Sequence, residues 1–262
     1  MVNKKELGRS APWHIEGVPA LVAHRGYALN YPENTLLALS AAVEAGAHFI
    51  ELDIQLSKDG VPFLTHDDNF QRTAGLDLNV FETSIAEIER ISVGEPERFG
   101  DRFSAEKPIR LEALCRQLNQ WQEVHSFIEI KKESVQHFGL EKTVGNVLNA
   151  IDSLQARHTL ISFSYDVVDL VQKISTRSAG WIISQWNDES LKTLQELSPD
   201  FVFCNYKKIP EDISLPNFGG KWALYDFDDP MLAKKWFNRG ADLIETMAVQ
   251  SMVEALSPEK TA

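Results

Sequence analysis

The sequence predicts an α/β fold, a (β/α)8 TIM barrel with a small insertion after strand two. Eight short apolar runs alternate with helical segments along 262 residues, a length that suits one such barrel. No linker rich in Gly, Pro or Ser divides the chain. We therefore expect a single domain over residues 1–262, with the insertion at about residues 67–107.

The predicted elements follow one another in regular order after a polar lead-in, residues 1–19. Asn34 or Thr35 is expected to cap the first helix, and Gly46 to end it. The insertion, Asp67–Lys107, is rich in charge and is expected to contain at most one helix. The strands are predicted at Ala20–His24, Phe49–Gln55, Ser126–Lys131, Thr159–Phe163, Ala179–Ile183, Phe201–Cys204, Lys221–Tyr225 and Leu243–Thr246, with a further extended run at Val61–Thr65. The helices are predicted at Leu36–Ala45, Ser84–Ile91, Leu111–Trp121, Leu140–Leu154, Tyr165–Ile174, Asp188–Leu197, Pro230–Arg239 and Val249–Leu256.

Three acidic residues interrupt the apolar strands on one face. Glu51 and Asp53 are two residues apart on strand two, so they point the same way, and Glu129 and Lys131 do the same on strand three. Carboxylates side by side need a cation, a shared proton or a basic partner. Oxygen ligands of this kind favour Mg²⁺ or Ca²⁺. There are two alternatives. Glu51 and Asp53 could be solvated on an edge strand, and Glu129 and Lys131 could form a purely structural ion pair.

Two histidines and an arginine stand at strand ends. His24 and Arg25 end strand one before Gly26, and His66 follows the extended run at Val61–Thr65. Arginine suits a phosphate because it can donate two parallel hydrogen bonds. Two histidines across one pocket can act as general base and general acid near neutral pH. Taken singly, each histidine could equally be structural.

Charge and composition exclude some functions. Lys and Arg number 26 and Asp and Glu number 38, giving a net charge of −12, which disfavours general binding to nucleic acid or anionic membranes. We find no apolar run long enough for a signal peptide or an integral membrane segment. The two cysteines, Cys115 and Cys204, have no metal-binding spacing. We therefore predict a cytoplasmic protein that acts on a small molecule.

Together, several short motifs resemble the signature of the glycerophosphodiester phosphodiesterase family. The resemblance is clear over about Leu21–Lys131, and the insertion at Asp67–Lys107 is similar to that family's insertion after strand two. The motifs are His24-Arg25-Gly26, Pro32-Glu33-Asn34-Thr35, Glu51-x-Asp53, Asp59-Gly60-x-Pro62, His66-Asp67 and Ile128-Glu129-Ile130-Lys131.

The resemblance implies a role for each matched position. One divalent cation, Mg²⁺ or Ca²⁺, would be bound by three carboxylates, and two basic residues would hold the phosphate. Glu33 would orient His24 or Arg25, and Phe163 resembles part of the family's strand-four motif. The implied residues are Glu51, Asp53 and Glu129 for the metal, Arg25 and Lys131 for the phosphate, and His24 and His66 for acid–base catalysis.

The C-terminal half departs from the family pattern. Where members usually have Trp-Thr-Val-Asn, this chain has Trp222-Ala223-Leu224-Tyr225, and where they have Thr-Asp it has Thr246-Met247. The departures concern contacts to the alcohol and glycerol parts of the substrate. Trp222 could line the pocket mouth or pack in the core.

The expected function is metal-dependent hydrolysis of glycerophosphodiesters, such as glycerophosphocholine or glycerophosphoethanolamine, to glycerol 3-phosphate and an alcohol. The same site could instead act on a lysophospholipid, a glycerophosphoinositol or another phosphodiester. An exposed apolar rim on the insertion would favour a lipid, and the residues available for such a rim are Phe70, Leu76, Leu78, Val80 and Phe81. A non-catalytic binding protein and a sugar-phosphate isomerase or aldolase using Lys131 as a Schiff base are the other readings. The sequence specifies neither the alcohol, nor the metal, nor the oligomeric state.

Overall fold

The computed structural model describes residues 17–257, and most of the polar lead-in predicted for residues 1–19 lies outside them. Eight parallel strands form a closed barrel because the first strand pairs with both the second and the last. The predicted (β/α)8 barrel is confirmed. The strands of the described part are β1 (Ala20–Ala23), β2 (Phe49–Leu56), β3 (Pro62–Leu64), β4 (His125–Ile130), β5 (His158–Ser162), β6 (Ser178–Ile183), β7 (Phe201–Asn205), β8 (Lys221–Tyr225) and β9 (Leu243–Thr246).

Helices connect the barrel strands and cover the outside of the barrel. Thr35 rather than Asn34 caps the first helix, because its side chain accepts a hydrogen bond from the backbone N–H of Ala38. No helix in the described range is long and apolar enough to cross a membrane. The helices are α1 (Leu36–Glu44), α2 (Gln71–Ala74), α3 (Ile85–Ile88), α4 (Pro96–Phe99), α5 (Leu111–Leu118), α6 (Lys132–Phe138), α7 (Leu140–Ala150), α8 (Tyr165–Ile174), α9 (Asp188–Leu197), α10 (Pro230–Phe237) and α11 (Val249–Leu256).

Alternation along the strands divides the barrel interior into an apolar floor and a charged mouth. On β2, Phe49 belongs to the apolar cluster inside the barrel, and Glu51 and Asp53 follow on the same face. On β4, Phe127 belongs to the same inner cluster, and Glu129 follows on its face. The apolar floor therefore lies below the carboxylates, which are at the carboxyl ends of the strands, where barrels of this kind carry their chemistry.

The insertion after β3 is more ordered than its composition predicts. The expectation of at most one helix is wrong, because α2, α3, α4 and a 3₁₀ turn at Val80–Glu82 all lie there. These short elements form around a small apolar cluster of their own, which the high charge of the segment conceals. Its buried members are Phe63, Phe70, Val80, Ile85, Ile88, Ile91 and Val93.

The apolar side chains that could have formed a lipid-binding rim are divided between two environments. Phe70 and Val80 are fully buried in the insertion's cluster, and the ring of Phe81 stacks on His137. Only Leu76 and Leu78 of this set are exposed, at 41% and 38%. Most of these residues therefore stabilise the insertion instead of facing solvent.

Gly26 sets the turn that carries His24 and Arg25 at the end of β1. Its φ is +79°, in the left-handed region, and a Cβ placed there would lie 2.6 Å from the carbonyl carbon of Ala38. The N–H of Tyr27 donates to that same Ala38 carbonyl. The β1 turn thus packs directly on α1, and only glycine fits at its tightest point.

We expect Gly26→Ala to lower the free energy of unfolding by at least about 2 kcal/mol. The added Cβ would clash with the backbone of Ala38, and alanine is strained at a left-handed φ. Gly145→Ala is the matched control, because Gly145 lies within α7 and a Cβ added there would have no neighbouring atom within 4 Å. That change should raise stability by roughly 0.5–1 kcal/mol. Urea denaturation of the three proteins measures both effects. Equal stability of Gly26→Ala and wild type would contradict the packing of this turn.

Candidate active site

A cavity of about 190 Å³ opens at the carboxyl ends of the barrel strands. Charged side chains line one part of its wall and apolar side chains the other. Its lining residues are His24, Arg25, Glu51, His66, Glu129, Lys131, Ile161, Phe163, Ile182, Phe203, Tyr225, Asp226 and Glu245.

Glu51, Asp53 and Glu129 form a buried cluster beside this cavity. Asp53 and Glu129 are register partners on the neighbouring strands β2 and β4. One carboxylate oxygen from each of the three residues lies within 4.8 Å of the others. Carboxylate oxygens at this separation suit a hard divalent cation.

The cluster is incompletely neutralised by its protein partners. Lys131 Nζ lies 3.3 Å from Asp53 Oδ1 and 2.9 Å from Glu129 Oε1. Glu51 Oε2 accepts a hydrogen bond from the backbone N–H of Arg25, whereas Glu51 Oε1 is buried without a partner among residues 17–257. A buried, unpaired carboxylate oxygen is costly, so this donor set fits a divalent cation.

Burial and charge act differently on the three carboxylates. Burial and the charge of Asp53 raise the pKa of Glu51 well above its usual value, and the same two causes raise the pKa of Glu129. Burial also works to raise the pKa of Asp53, but the charges of Lys131 and Arg25 outweigh it and lower that pKa. The cluster therefore favours any positive charge that reaches Glu51 and Glu129.

His24 is held with one ring nitrogen toward the cavity. Its Nδ1 lies 2.7 Å from Asp226 Oδ1, and its Nε2 lies 3.8 Å from Glu51 Oε2. Burial opposes protonation, but the charge of Glu245 and the hydrogen bond to Asp226 prevail and raise the pKa of His24 to about 10. Asp226 thereby orients the imidazole and leaves Nε2 to face the cavity.

His66, which also lines the cavity, has an analogous carboxylate partner. Its Nδ1 lies 2.6 Å from Asp67 Oδ1, and the guanidinium Nε of Arg72 donates to Asp67 Oδ2 at 2.8 Å. The hydrogen bond with His66 and the one from Arg72 hold the pKa of Asp67 well below its usual range. Asp67 therefore stays ionised and fixes the orientation of His66.

Arg25 is anchored by two carboxylates. Its Nε lies 3.1 Å from Asp53 Oδ2, and its Nη1 lies 3.0 Å from Glu33 Oε1. Arg72 donates two hydrogen bonds of 2.7 Å to the carboxylate of Glu33. Burial would raise the pKa of Glu33, but the hydrogen bonds of Arg72 and the charge of Arg25 lower it. Glu33 thus orients Arg25, and within residues 17–257 it forms no hydrogen bond or ion pair with His24.

Lys131 does not have the environment of a Schiff-base lysine. Burial works against its charge, but Asp53 and Glu129 outweigh that effect and raise the pKa of Lys131 above its usual value. A lysine that stays protonated is a poor nucleophile. This geometry disfavours the isomerase or aldolase reading and suits attraction of an anion.

The two aromatic candidates lie on opposite sides of the barrel wall. Phe163 lines the cavity. Trp222 does not line it, and of the two roles predicted for Trp222 the structure shows packing in the core: it is 3% exposed, packs outside the strands and donates its indole N–H to the carbonyl oxygen of Pro216. The cause is strand alternation, which turns Ala223 and Tyr225 of β8 inward and Trp222 outward.

Sequence reasoning missed several residues of this site. Glu245 is 3% exposed on β9 and lines the cavity, and an acidic residue within an apolar strand is the signal already used for Glu129. Asn34 holds Asp53 with two hydrogen bonds of 2.9 Å, although its motif suggested a helix cap. Asp226 and Arg72 lie in connecting segments, where no periodic pattern marks them.

The site belongs to a class of α/β barrels that combine a carboxylate cluster with basic and histidine side chains. A model of the glycerophosphoryl diester phosphodiesterase family matches residues 24–218, and the chain belongs to that family.

Individual relatives support this membership. A glycerophosphodiester phosphodiesterase from Caldanaerobacter subterraneus is 31% identical over 155 residues, 59% of this chain and 62% of the relative. One from Bacillus altitudinis is 30% identical over 154 residues, again 59% of this chain and 62% of the relative. The matched region thus spans about three fifths of the length of these curated relatives.

Solved structures share the fold over most of the chain. A phosphodiesterase from Oleispira antarctica in complex with the product sn-glycerol-3-phosphate has a TM-score of 0.80 at 23% identity, covering 91% of this chain and 96% of that one. A glycerophosphodiester phosphodiesterase from Thermotoga maritima has a TM-score of 0.69 at 23% identity, covering 92% and 99%.

Arg72→Ala should lower turnover of a glycerophosphodiester by roughly tenfold to a hundredfold, because it removes charge-assisted hydrogen bonds worth about 1.5–3 kcal/mol from the residues that orient Arg25 and His66. Arg72→Lys keeps the positive charge but loses the bidentate contact with Glu33. Its turnover should lie between those of Arg72→Ala and wild type. Steady-state kinetics measures both.

Arg110→Ala is the control, because Arg110 pairs with Glu89, away from the cavity. Unchanged kinetics in Arg72→Ala would contradict the positioning role of Arg72.

Proposed function

We propose that the protein hydrolyses glycerophosphodiesters, such as glycerophosphocholine and glycerophosphoethanolamine, to glycerol 3-phosphate and an alcohol. The observation that carries the proposal is the cavity itself, where the carboxylate cluster adjoins Arg25 and Lys131 and lies near His24 and His66. The family supports the reaction class, and the related Oleispira structure holds the product sn-glycerol-3-phosphate.

Glu51, Asp53 and Glu129 would hold one divalent cation, Mg²⁺ or Ca²⁺. Bound there, a cation would offset negative charge on the phosphate and polarise its oxygens. The protein's own contribution is to keep the three carboxylates close together, with Asn34 fixing Asp53 and the backbone N–H of Arg25 fixing Glu51. The buried, unpartnered oxygen of Glu51 supports this assignment over a purely structural cluster.

Arg25 and Lys131 would hold the phosphate oxygens. Both line the cavity, and both are held by carboxylates that keep them charged. Two fixed cations beside a buried cavity attract an anion and stabilise the charge that builds on it during bond cleavage.

His24 and His66 would act as the acid–base pair. One removes the proton from the attacking oxygen, either water or a neighbouring glycerol hydroxyl, and the other protonates the departing alcohol as the P–O bond breaks. Asp226 and Asp67 support these roles because each holds its histidine through Nδ1 and leaves Nε2 for the substrate.

The substrate would be a small diester. A cavity of about 190 Å³ accommodates a glycerophosphate group. A lysophospholipid is the weaker alternative, because only Leu76 and Leu78 of the insertion's candidate rim are exposed. The anchored histidines and the paired arginine likewise favour catalysis over a non-catalytic binding role. Nucleic acid is disfavoured by the net charge of −12.

We also propose that residues 1–262 act as a single domain in the cytoplasm. The insertion supports the first point, because Arg72 on α2 contacts Glu33 in the loop between β1 and α1 and so ties the insertion to the barrel. Two buried cysteines, both free, are compatible with a reducing compartment.

Chelation is expected to abolish activity. Purified protein should release glycerol 3-phosphate from glycerophosphocholine with Mg²⁺ or Ca²⁺, and EDTA should stop the release by removing the cation. Glu51→Gln should require far more metal for the same rate, whereas Glu141→Gln, on the exposed surface of α7, should match wild type. Full activity of metal-free protein in EDTA would refute metal dependence.

Removing either histidine should reduce kcat by roughly 100- to 10,000-fold, the usual contribution of a positioned acid or base. The variants are His24→Ala and His66→Ala, with His48→Ala as the control because His48 is exposed and lies before β2, at the opposite end of the barrel. Turnover is measured at saturating substrate and metal. If His66→Ala keeps near wild-type turnover, the two-histidine scheme is wrong.

A further inference from the structure

Glu245 is a buried carboxylate for which the proposed reaction has no role. It lies on β9, is 3% exposed and lines the cavity. Its Oε1 is buried and has no hydrogen-bond partner within residues 17–257. An acid in this condition needs a cation, a proton or a ligand, because its desolvation is otherwise uncompensated.

Two further ligand groups stand next to Glu245. One ligand atom each from His24, Glu51 and Glu245 can be chosen so that all three lie within 4.8 Å of one another. His24 Nε2 and Glu51 Oε2 are 3.8 Å apart, too far for a hydrogen bond. Two ligands at about 2.1 Å from one tetrahedral zinc ion lie about 3.4 Å apart, so these two atoms need to approach by only a few tenths of an ångström to share a cation. The gap is therefore close to the size that a shared cation requires.

We propose that His24, Glu51 and Glu245 form a second cation site, distinct from the cluster of Glu51, Asp53 and Glu129. Glu51 takes part in both, since its two oxygens can serve different ions. The chemistry of the two sites differs because the second contains an imidazole nitrogen. It should select a cation that accepts nitrogen ligands, such as Zn²⁺, Co²⁺ or Mn²⁺, over Mg²⁺ or Ca²⁺.

The surroundings support this site over a simple acidic pair. Asp226 Oδ1 lies 2.7 Å from His24 Nδ1, and a carboxylate in this position orients a histidine for metal binding through Nε2. Three protein ligands beside an open cavity leave a fourth position for water, as in many zinc sites.

Occupation of the second site has a consequence that rests on the proposed function. A cation on His24 Nε2 prevents that nitrogen from accepting or donating a proton. Zn²⁺ should therefore inhibit hydrolysis supported by Mg²⁺, and Glu245→Gln should weaken the inhibition.

The deciding experiment measures binding without any substrate. The full chain, freed of metal, is titrated with Co²⁺ in excess Mg²⁺. The visible d–d absorption reports Co²⁺ bound at a site of low coordination number that includes a nitrogen ligand. We expect one Co²⁺ per chain. Glu245→Gln and Glu245→Asp should each weaken Co²⁺ binding at least tenfold, and the two variants guard against a folding defect in either one.

Glu129→Gln is the matched variant, because Glu129 belongs only to the first cluster. It should retain Co²⁺ binding at the second site while Mg²⁺ binding weakens. Absence of Co²⁺ binding in excess Mg²⁺, or equal Co²⁺ affinity in wild type and both Glu245 variants, would overturn the proposal. Because neither readout uses substrate, failure here is distinct from failure of the proposed hydrolysis.

Discussion

The arrangement of the site depends on the repulsion among carboxylates buried at the mouth of the barrel. Glu51, Asp53, Glu129 and Glu245 are each at most 7% exposed, and Arg25 and Lys131 are the fixed cations that line the same cavity. Strand alternation forces the acids onto one side, because the apolar residues between them cover the outside of the barrel. Positive charge from bound cations, histidines or substrate-binding residues must offset the excess.

The insertion after β3 helps to position the charged groups of the site from outside the barrel. Arg72 contacts both Glu33, which holds Arg25, and Asp67, which holds His66. Glu95, also in the insertion, accepts a hydrogen bond from the backbone N–H of Glu33. The apolar cluster of the insertion holds the segment that makes these contacts in place. A segment that looks like a polar excursion in sequence is therefore part of the framework that orients the charged groups.

Much of this site is predictable from the sequence, and the reason is geometric. The period of two along a strand places Glu51 with Asp53 and Glu129 with Lys131, and parallel strands bring their carboxyl ends to one edge. The same rule would have identified Glu245 as facing inward and Trp222 as facing outward. Asn34 and Asp226 lie in loops and Arg72 on the one-turn helix α2, and they were beyond such a rule because segments this short or irregular have no period. Of the three helices of the insertion, α3 falls within the predicted Ser84–Ile91, whereas α2 and α4 were not predicted because each is a single turn whose apolar residues are spread among charges.

The central claim, that the buried carboxylates form a cation site, is tested most directly by the free energy of unfolding as a function of Mg²⁺ concentration. A ligand that binds only the folded state stabilises it by about 2.7 kcal/mol at 100 times its Kd. We expect wild type to gain stability with each increase in Mg²⁺, and Glu51→Gln and Glu129→Gln to gain much less. Stability that is independent of Mg²⁺ and Ca²⁺ in wild type would contradict the account.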